Sequence, residues 1–139
     1  MGGSPPEEGA GAKGTELRLS TRYLVNDVEA SLKFYVEILG FTVMQKWGPA
    51  FAIIERNDVR LWISGPGTSA MQPMPDGRKP EPGGWNRIVV EVEDLAALVE
   101  ELKKHNIIFR NEIVQGPGGK QVLIEDPSGN PLELFQAWR

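Results

Sequence analysis

Two predicted strands of this chain carry arginine side chains that could do chemistry. In the run from 86 to 92, apolar residues alternate with Arg87 and Glu91, as they do in a strand with one face in the core. A similar alternation over 17–25 places Ser20 on a polar face that also carries arginines. A guanidinium binds a carboxylate through paired hydrogen bonds. The pattern therefore predicts a surface that binds an anionic small molecule.

Cysteine is absent and histidine occurs once, which excludes several kinds of site. Without cysteine there can be no disulfide framework, no thiolate zinc site and no cysteine nucleophile. His105 follows two lysines at the end of a predicted helix, where a cation complements the helix dipole. A Ser-His-Asp triad or a histidine-rich metal site would need this side chain in a cleft. We therefore expect His105 to be structural.

The overall charge and hydrophobicity are those of an ordinary globular protein. The chain of 139 residues has a formal net charge of −4 and is 40% hydrophobic, so it lacks the basic field that attracts nucleic acids. No apolar run reaches the roughly 18 residues of a membrane-spanning helix, and the chain shows no secretory signal pattern. We expect a cytoplasmic protein without nucleic acid or membrane partners.

The sequence divides into a polar tail and one domain. Residues 1–15 are rich in glycine, proline and charge, and we expect them to form a disordered tail. Glycines in this tail match G-x-G-x-x-G, but no strand precedes them and no amphipathic helix follows, so we read the match as chance. Residues 16–139 are expected to form a single domain.

Within the domain, one order of predicted elements occurs twice. Residues 17–64 predict a strand, a helix that begins after Asp27, and three more strands. A proline-rich loop over 65–84 then serves either as a plain linker or as a cavity lid, and the same order returns over 85–137 with Asp94 at the helix start. This duplication predicts an α+β fold of two tandem βαβββ modules that form a curved mixed sheet around a central cavity.

Two segments resemble the best-known motifs of the vicinal oxygen chelate superfamily, which includes glyoxalases, bleomycin-resistance proteins and extradiol dioxygenases. They are DVEASLKFYVEILGF at 27–41 and EDPSGNPLELFQ at 125–136, and the resemblance extends over about 17–137. It implies this same fold and a homodimer. It leaves function open, because one fold hosts many activities.

The resemblance also implies where a divalent metal would be held. Metal-using members place ligands seven residues before each helix-opening aspartate and on the fourth strand of each module. The matching residues here are Ser20, Arg87, Arg60 and Glu133. A guanidinium has no lone pair to donate, so only Glu133 fits the pattern. We expect no metal cofactor and keep a divalent metal held by Glu133 as the alternative.

Aromatic residues are expected beside these positions. Trp62 and Phe135 lie two residues beyond Arg60 and Glu133, hence on the same strand faces, and Trp47 is expected to join them. Together with Ser20 and Arg87, these residues are the predicted ligand-binding set for a planar compound. Two alternatives remain open: the rings fill the cavity or a dimer interface, and Glu133 forms a structural ion pair with one or both arginines.

Three functions are compatible with this set of residues. The first is a metal-independent protein of the bleomycin-resistance type that sequesters a planar, anionic small molecule such as an antibiotic. The second is a lyase, isomerase or dioxygenase that holds a metal through Glu133 and unconventional ligands such as Glu91, Gln121 or Glu125. The third is metal-free catalysis with Glu133 as general base, its candidate catalytic residue. The sequence does not decide between an enzyme and a binding protein.

Overall fold

The first module, in a computed structural model that describes residues 17–138, is a four-stranded sheet with a helix against one face. The predicted tail at 1–15 lies outside the described residues. The strands follow the order β1-β4-β3-β2, with β1 parallel to β4 and the other pairs antiparallel. The elements are β1 (Thr21–Leu24), α1 (Val28–Leu32, continued by a wider π-helical segment over Lys33–Ile38), β2 (Thr42–Trp47), β3 (Phe51–Arg56) and β4 (Val59–Ser64).

Local sequence explains where this helix begins and ends. Asp27 caps its start, because a side-chain oxygen of Asp27 accepts a hydrogen bond from the backbone N–H of Ala30 at 3.1 Å. Gly40 follows its end with a φ of +78°, a left-handed conformation that glycine adopts without strain. In the strands, alternate residues such as Ile54 and Leu61 are fully buried. One face of the sheet therefore packs in the core and the other is left for a binding surface.

The second module repeats this order after a long connection. Asp94 caps α2 by accepting a hydrogen bond from the N–H of Ala97 at 3.0 Å. The strands form a five-stranded sheet in the order β5-β9-β8-β6, with β7 also paired to β8. This module has one strand more than the repeated order predicts, because two short strands take the place of its second strand. The elements are β5 (Ile88–Glu91), α2 (Leu95–Leu102, followed by a 3-10 turn at Lys103–His105), β6 (Ile108–Phe109), β7 (Val114–Gln115), β8 (Gly119–Glu125) and β9 (Pro131–Ala137).

The two modules share one hydrophobic core, and the α+β fold of tandem modules is confirmed. Residues of both sheets and both helices, among them Tyr35, Leu61, Leu95 and Leu134, belong to one buried cluster. His105 lies on the turn after α2 with 46% of its side chain exposed, as predicted for a structural residue. None of the helices within 17–138 combines the length and the apolar character that a membrane crossing requires.

A buried polar turn at the start of β9 joins the modules. The hydroxyl of Tyr35 donates to Oδ2 of Asp126 at 2.8 Å, and Nδ2 of Asn130 donates to the carbonyl of Leu24 at 2.7 Å. Burial, reinforced by the Asp126 carboxylate, raises the pKa of Tyr35 well above its ordinary value. The Tyr35 phenol is therefore neutral and acts as a donor. The DPSGN motif thus fixes the position of one module against the other.

Candidate functional site

Three aromatic rings cover the face of the first sheet that points away from the core. The ring of Phe51 lies 5.2 Å from that of Trp47 and 6.0 Å from that of Trp62, between ring centroids. Strand alternation explains their position, because the adjacent Ala52 and Leu61 are buried on the opposite face. Trp47 remains 53% exposed. We call Trp47, Phe51 and Trp62 the aromatic platform; such a surface can stack against a planar molecule.

Arg22 lies on this platform. Its guanidinium carbon is 4.9 Å from the ring centroid of Trp62 and 5.9 Å from that of Phe51, which is cation–π geometry. Nη1 of Arg22 donates to Oγ of Ser64 at 2.9 Å. None of the ion pairs within residues 17–138 involves Arg22. Sequence analysis put arginines on this face of β1, but it did not select Arg22 as a ligand-binding residue.

Glu133 forms an ion pair with Arg87 and not with Arg60. Nε and Nη2 of Arg87 lie 3.1 and 2.9 Å from Oε1 of Glu133, and Nη1 donates to the carbonyl of Trp85 at 3.1 Å. The Glu133 side chain is only 10% exposed and that of Arg87 is 27% exposed. Arg60 instead contacts Glu55 on β3 through Nε at 2.6 Å. Among the roles considered for Glu133, which were ligand binding, metal binding, general base and structural ion pair, the geometry favours the ion pair.

The strand register corrects one expected equivalence between the modules. Thr21 pairs with Leu61 in the first module, and Ile88 pairs with Leu132 in the second. The residue that corresponds to Glu133 is therefore Trp62, one position after Leu61, and not Arg60. Matching the two fourth strands by their local sequence does not determine their register, and the connection from the first strand to the fourth is shorter in the first module than in the second. The register places an indole where metal-using relatives would carry a carboxylate.

These residues do not fit the divalent metal that the fold implies. The four corresponding positions hold Ser20, Trp62, Arg87 and Glu133, and the carboxylate of Glu133 already accepts from a guanidinium. A metal ion needs several lone-pair donors around one point. Over the described residues, no group of three or more histidine, aspartate or glutamate side chains could hold a metal ion.

A cleft of about 370 Å³ lies where the two modules meet, between β1 and the start of β5. Arg22 and Arg87 both line it, one from each module, and we call it the arginine cleft. Asn130 forms one wall of the cleft. Its Nδ2 donates a hydrogen bond to the carbonyl of Leu24, and its Oδ1 accepts one from the N–H of Gly83 at 2.8 Å. The lining residues are Thr21, Arg22, Tyr23, Leu24, Glu81, Gly83, Asn86, Arg87, Ile88 and Asn130.

The remaining predicted residues lie outside this cleft. Arg60 lines a separate depression near the β3–β4 turn, Ser20 is exposed just before β1, and Phe135 is half-buried on β9. Trp47 and Trp62 meet on the platform. The structure thus brings together Trp47 with Trp62 and Arg87 with Glu133, while the other three predicted residues lie outside both groups: Ser20, Arg60 and Phe135. The sequence signal for the missed Arg22 was its place two residues after Ser20, on the same polar face of the predicted strand.

Comparison with known proteins identifies the family of this fold. A profile of the Glyoxalase/Bleomycin resistance protein/Dioxygenase superfamily matches residues 19–134. The uncharacterized protein YaeR of Escherichia coli K12 is 27% identical over 81% of this chain and 90% of its own length. Among solved structures, lactoylglutathione lyase from Agrobacterium tumefaciens has a TM-score of 0.68 at 20% identity, covering 89% of this chain and 96% of that one. The antibiotic binding protein TnmS3 from Streptomyces sp. CB03234 has a TM-score of 0.64 at 21% identity, covering 89% and 99%.

The two structural neighbours differ in their named roles, and at these identities they indicate a shared fold. The profile is more specific, because it covers well over half of the chain and includes the motif at 27–41 and all but the last two residues of the motif at 125–136. This chain therefore belongs to the glyoxalase/bleomycin resistance protein/dioxygenase superfamily.

Proposed function

We propose that this protein is a metal-independent small-molecule-binding protein that holds a planar, anionic compound on the aromatic platform beside Arg22, at the edge of the arginine cleft. The observation that carries the proposal is the guanidinium of Arg22, which is stacked on Trp62 and contacts no carboxylate within the described residues. In this arrangement the ring of the ligand would lie against the aromatic platform. Its acidic group would accept hydrogen bonds from the guanidinium N–H groups that do not contact Ser64. Paired donors of this kind suit a planar carboxylate.

Charge pairing elsewhere on the sheets supports Arg22 as the anion-binding residue. Arg60 and Arg87 each contact a carboxylate, so their charges are largely neutralised. Arg22 has only the neutral hydroxyl of Ser64 as a partner, and its charge remains available for a ligand. The indole Nε1 of Trp62 is buried without a hydrogen-bond partner, and it offers a second donor to a ligand that enters beside it.

A sequestering role has a precedent on this fold, since TnmS3 is an antibiotic binding protein. A metal-dependent lyase, isomerase or dioxygenase would need donors beyond Glu133. Its carboxylate already binds Arg87. Catalysis with Glu133 as general base would also require a free carboxylate, and here the carboxylate accepts hydrogen bonds from Arg87. We therefore rank both enzymatic alternatives below the binding protein.

Arg22→Ala tests this proposal. We expect the unchanged protein to bind 2-naphthoate more tightly than its uncharged analogue 2-naphthamide, and Arg22→Ala to weaken naphthoate binding by about 2 kcal/mol, or roughly 30-fold. Naphthamide binding should change little. Isothermal titration calorimetry measures all of these affinities, and repeating the titration in EDTA tests independence from metal.

Arg60→Ala is the matched control, since it removes an arginine from the same sheet that is already paired with Glu55. Equal losses in the Arg22 and Arg60 variants would contradict the proposed role of Arg22. Loss of binding in EDTA, restored by a divalent metal and dependent on Glu133, would support the enzymatic alternative instead.

We propose further that the protein acts in the cytoplasm as a homodimer. Support comes from β2, an edge strand on which Val43 and Met44 are 39% and 52% exposed. Exposed apolar residues along a free strand edge are typical of an interface. Light scattering coupled to gel filtration should give twice the chain mass of 15.4 kDa, and Met44→Lys should shift it toward that of one chain. A monomeric mass at micromolar concentration would contradict the dimer.

A further inference from the structure

A second cavity, of about 610 Å³, lies at the other end of β5 and is larger than the arginine cleft. It is bounded by the end of the α1 helix, the β3–β4 turn, β5 and α2. Both modules contribute to it. Its volume is in the range of about 300–1,000 Å³ that is typical of pockets for small molecules.

The floor of this cavity is apolar. Phe41 and Leu39 of the first module are 5% and 7% exposed, and Leu134 of the second is fully buried. Ile38 and Leu98 continue this lining from the two helical segments and are half-buried. An apolar body of a few carbon atoms would be removed from water on this floor, which is a favourable transfer.

The mouth of the same cavity is acidic. Asp58, Glu91 and Glu93 line it with exposed side chains, and none of the ion pairs within residues 17–138 involves them. The basic residue of the lining is Arg56, whose Nη1 donates to the carbonyl of Leu39 at 2.7 Å. Asp94, which caps α2, also lines the cavity. The four carboxylates exceed that single cation, so the field at the mouth favours a positive charge.

We propose that this cavity binds a hydrophobic cation, namely a protonated amine carried on a short apolar body. The apolar floor would hold the body and the acidic mouth would hold the ammonium group. A carboxylate of the same shape would be repelled by the acidic side chains of the lining. The charge preference is opposite to that of the arginine cleft, and this inference does not depend on the function proposed for that cleft.

The test uses the full chain with 4-phenylbutylamine as the probe and 4-phenylbutyrate as its anionic counterpart. In methyl-resolved NMR titrations we expect the amine to shift the signals of Leu98 and Leu134. The butyrate should leave them unchanged at the same concentration. The amine should also bind more weakly at high salt, because the mouth is open to solvent and its charges are screened.

Two double variants separate charge recognition from general effects. Glu91→Gln with Glu93→Gln should weaken amine binding by about tenfold. Glu100→Gln with Glu101→Gln, on the exposed face of α2 outside the cavity, should leave it unchanged. Both variants alter exposed carboxylates and should keep the fold, which circular dichroism checks.

Several outcomes would overturn the proposal. These are equal shifts by amine and butyrate, equal losses in the two double variants, or no shift of either leucine. If a second copy of the chain covers the cavity, the amine would shift neither leucine and the Glu91 and Glu93 variant would change the mass in solution. Arg22→Ala should leave amine binding intact, so failure at this cavity is distinguishable from failure at the arginine cleft.

Discussion

Replacing Asp126 by alanine is expected to lower the free energy of unfolding by about 4 kcal/mol. Asp126 is 2% exposed. Its carboxylate accepts hydrogen bonds from the N–H of Ser128 at 2.8 Å, the N–H of Asn130 at 3.0 Å, Nδ2 of Asn130 at 3.0 Å and the hydroxyl of Tyr35 at 2.8 Å. The substitution leaves these donors without an acceptor in a region closed to water, and each such group is costly. Urea denaturation followed by circular dichroism measures the change.

The matched control is Asp76→Ala. Asp76 also accepts a hydrogen bond from a turn N–H, that of Arg78 at 3.0 Å, but it is exposed. Water replaces this bond, so we expect a loss below about 1 kcal/mol. If Asp126→Ala also lowers the free energy of unfolding by less than about 1 kcal/mol, the turn does not hold the modules together.

The Asp126 turn also determines the geometry of the arginine cleft. Asn130 is oriented by Asp126 and bridges Leu24 on β1 to Gly83 on the connecting segment. Both bridged residues line the cleft. A motif that sequence comparison associates with the family therefore acts here through structure, by fixing the walls of the proposed binding site.

Replacing Arg87 by alanine should be the second large effect, a loss of about 3 kcal/mol of unfolding free energy. The substitution leaves the carboxylate of Glu133 nearly buried without its cation. An unpaired charge in such a place is strongly destabilising, because desolvation is no longer offset by the ion pair. The free energy of unfolding in urea, compared with that of the unchanged protein, measures it.

Two further variants test whether the loss of stability comes from the isolated carboxylate of Glu133. Replacing both partners, Arg87→Met with Glu133→Leu, should recover most of the loss, since an apolar pair of similar size carries no desolvation cost. Arg60→Ala removes a partner from the more exposed Arg60–Glu55 pair and should cost below about 1 kcal/mol. If the double replacement is as unstable as Arg87→Ala alone, the cost does not come from the isolated carboxylate.

The sequence by itself determined the module pattern. Asp27 and Asp94 cap helices as predicted, because an N-cap depends on a few consecutive residues. The strand alternation placed Arg87 and Trp62 on faces away from the core, because side-chain direction has a period of two residues. That Glu133 is the one residue of the predicted set that fits the metal-binding pattern was also visible in the sequence, since it depends on residue type.

Only the tertiary structure decided which of these residues meet. Register across β1 and β4 brought Arg22 to Trp62 and made Trp62 the counterpart of Glu133. The side-chain conformations of Arg87 and Glu133 bring these two residues into contact. These contacts join residues that are 40 or more positions apart in sequence. They depend on the register between strands and on the packing of the two modules, and the spacing of residues along the chain determines neither.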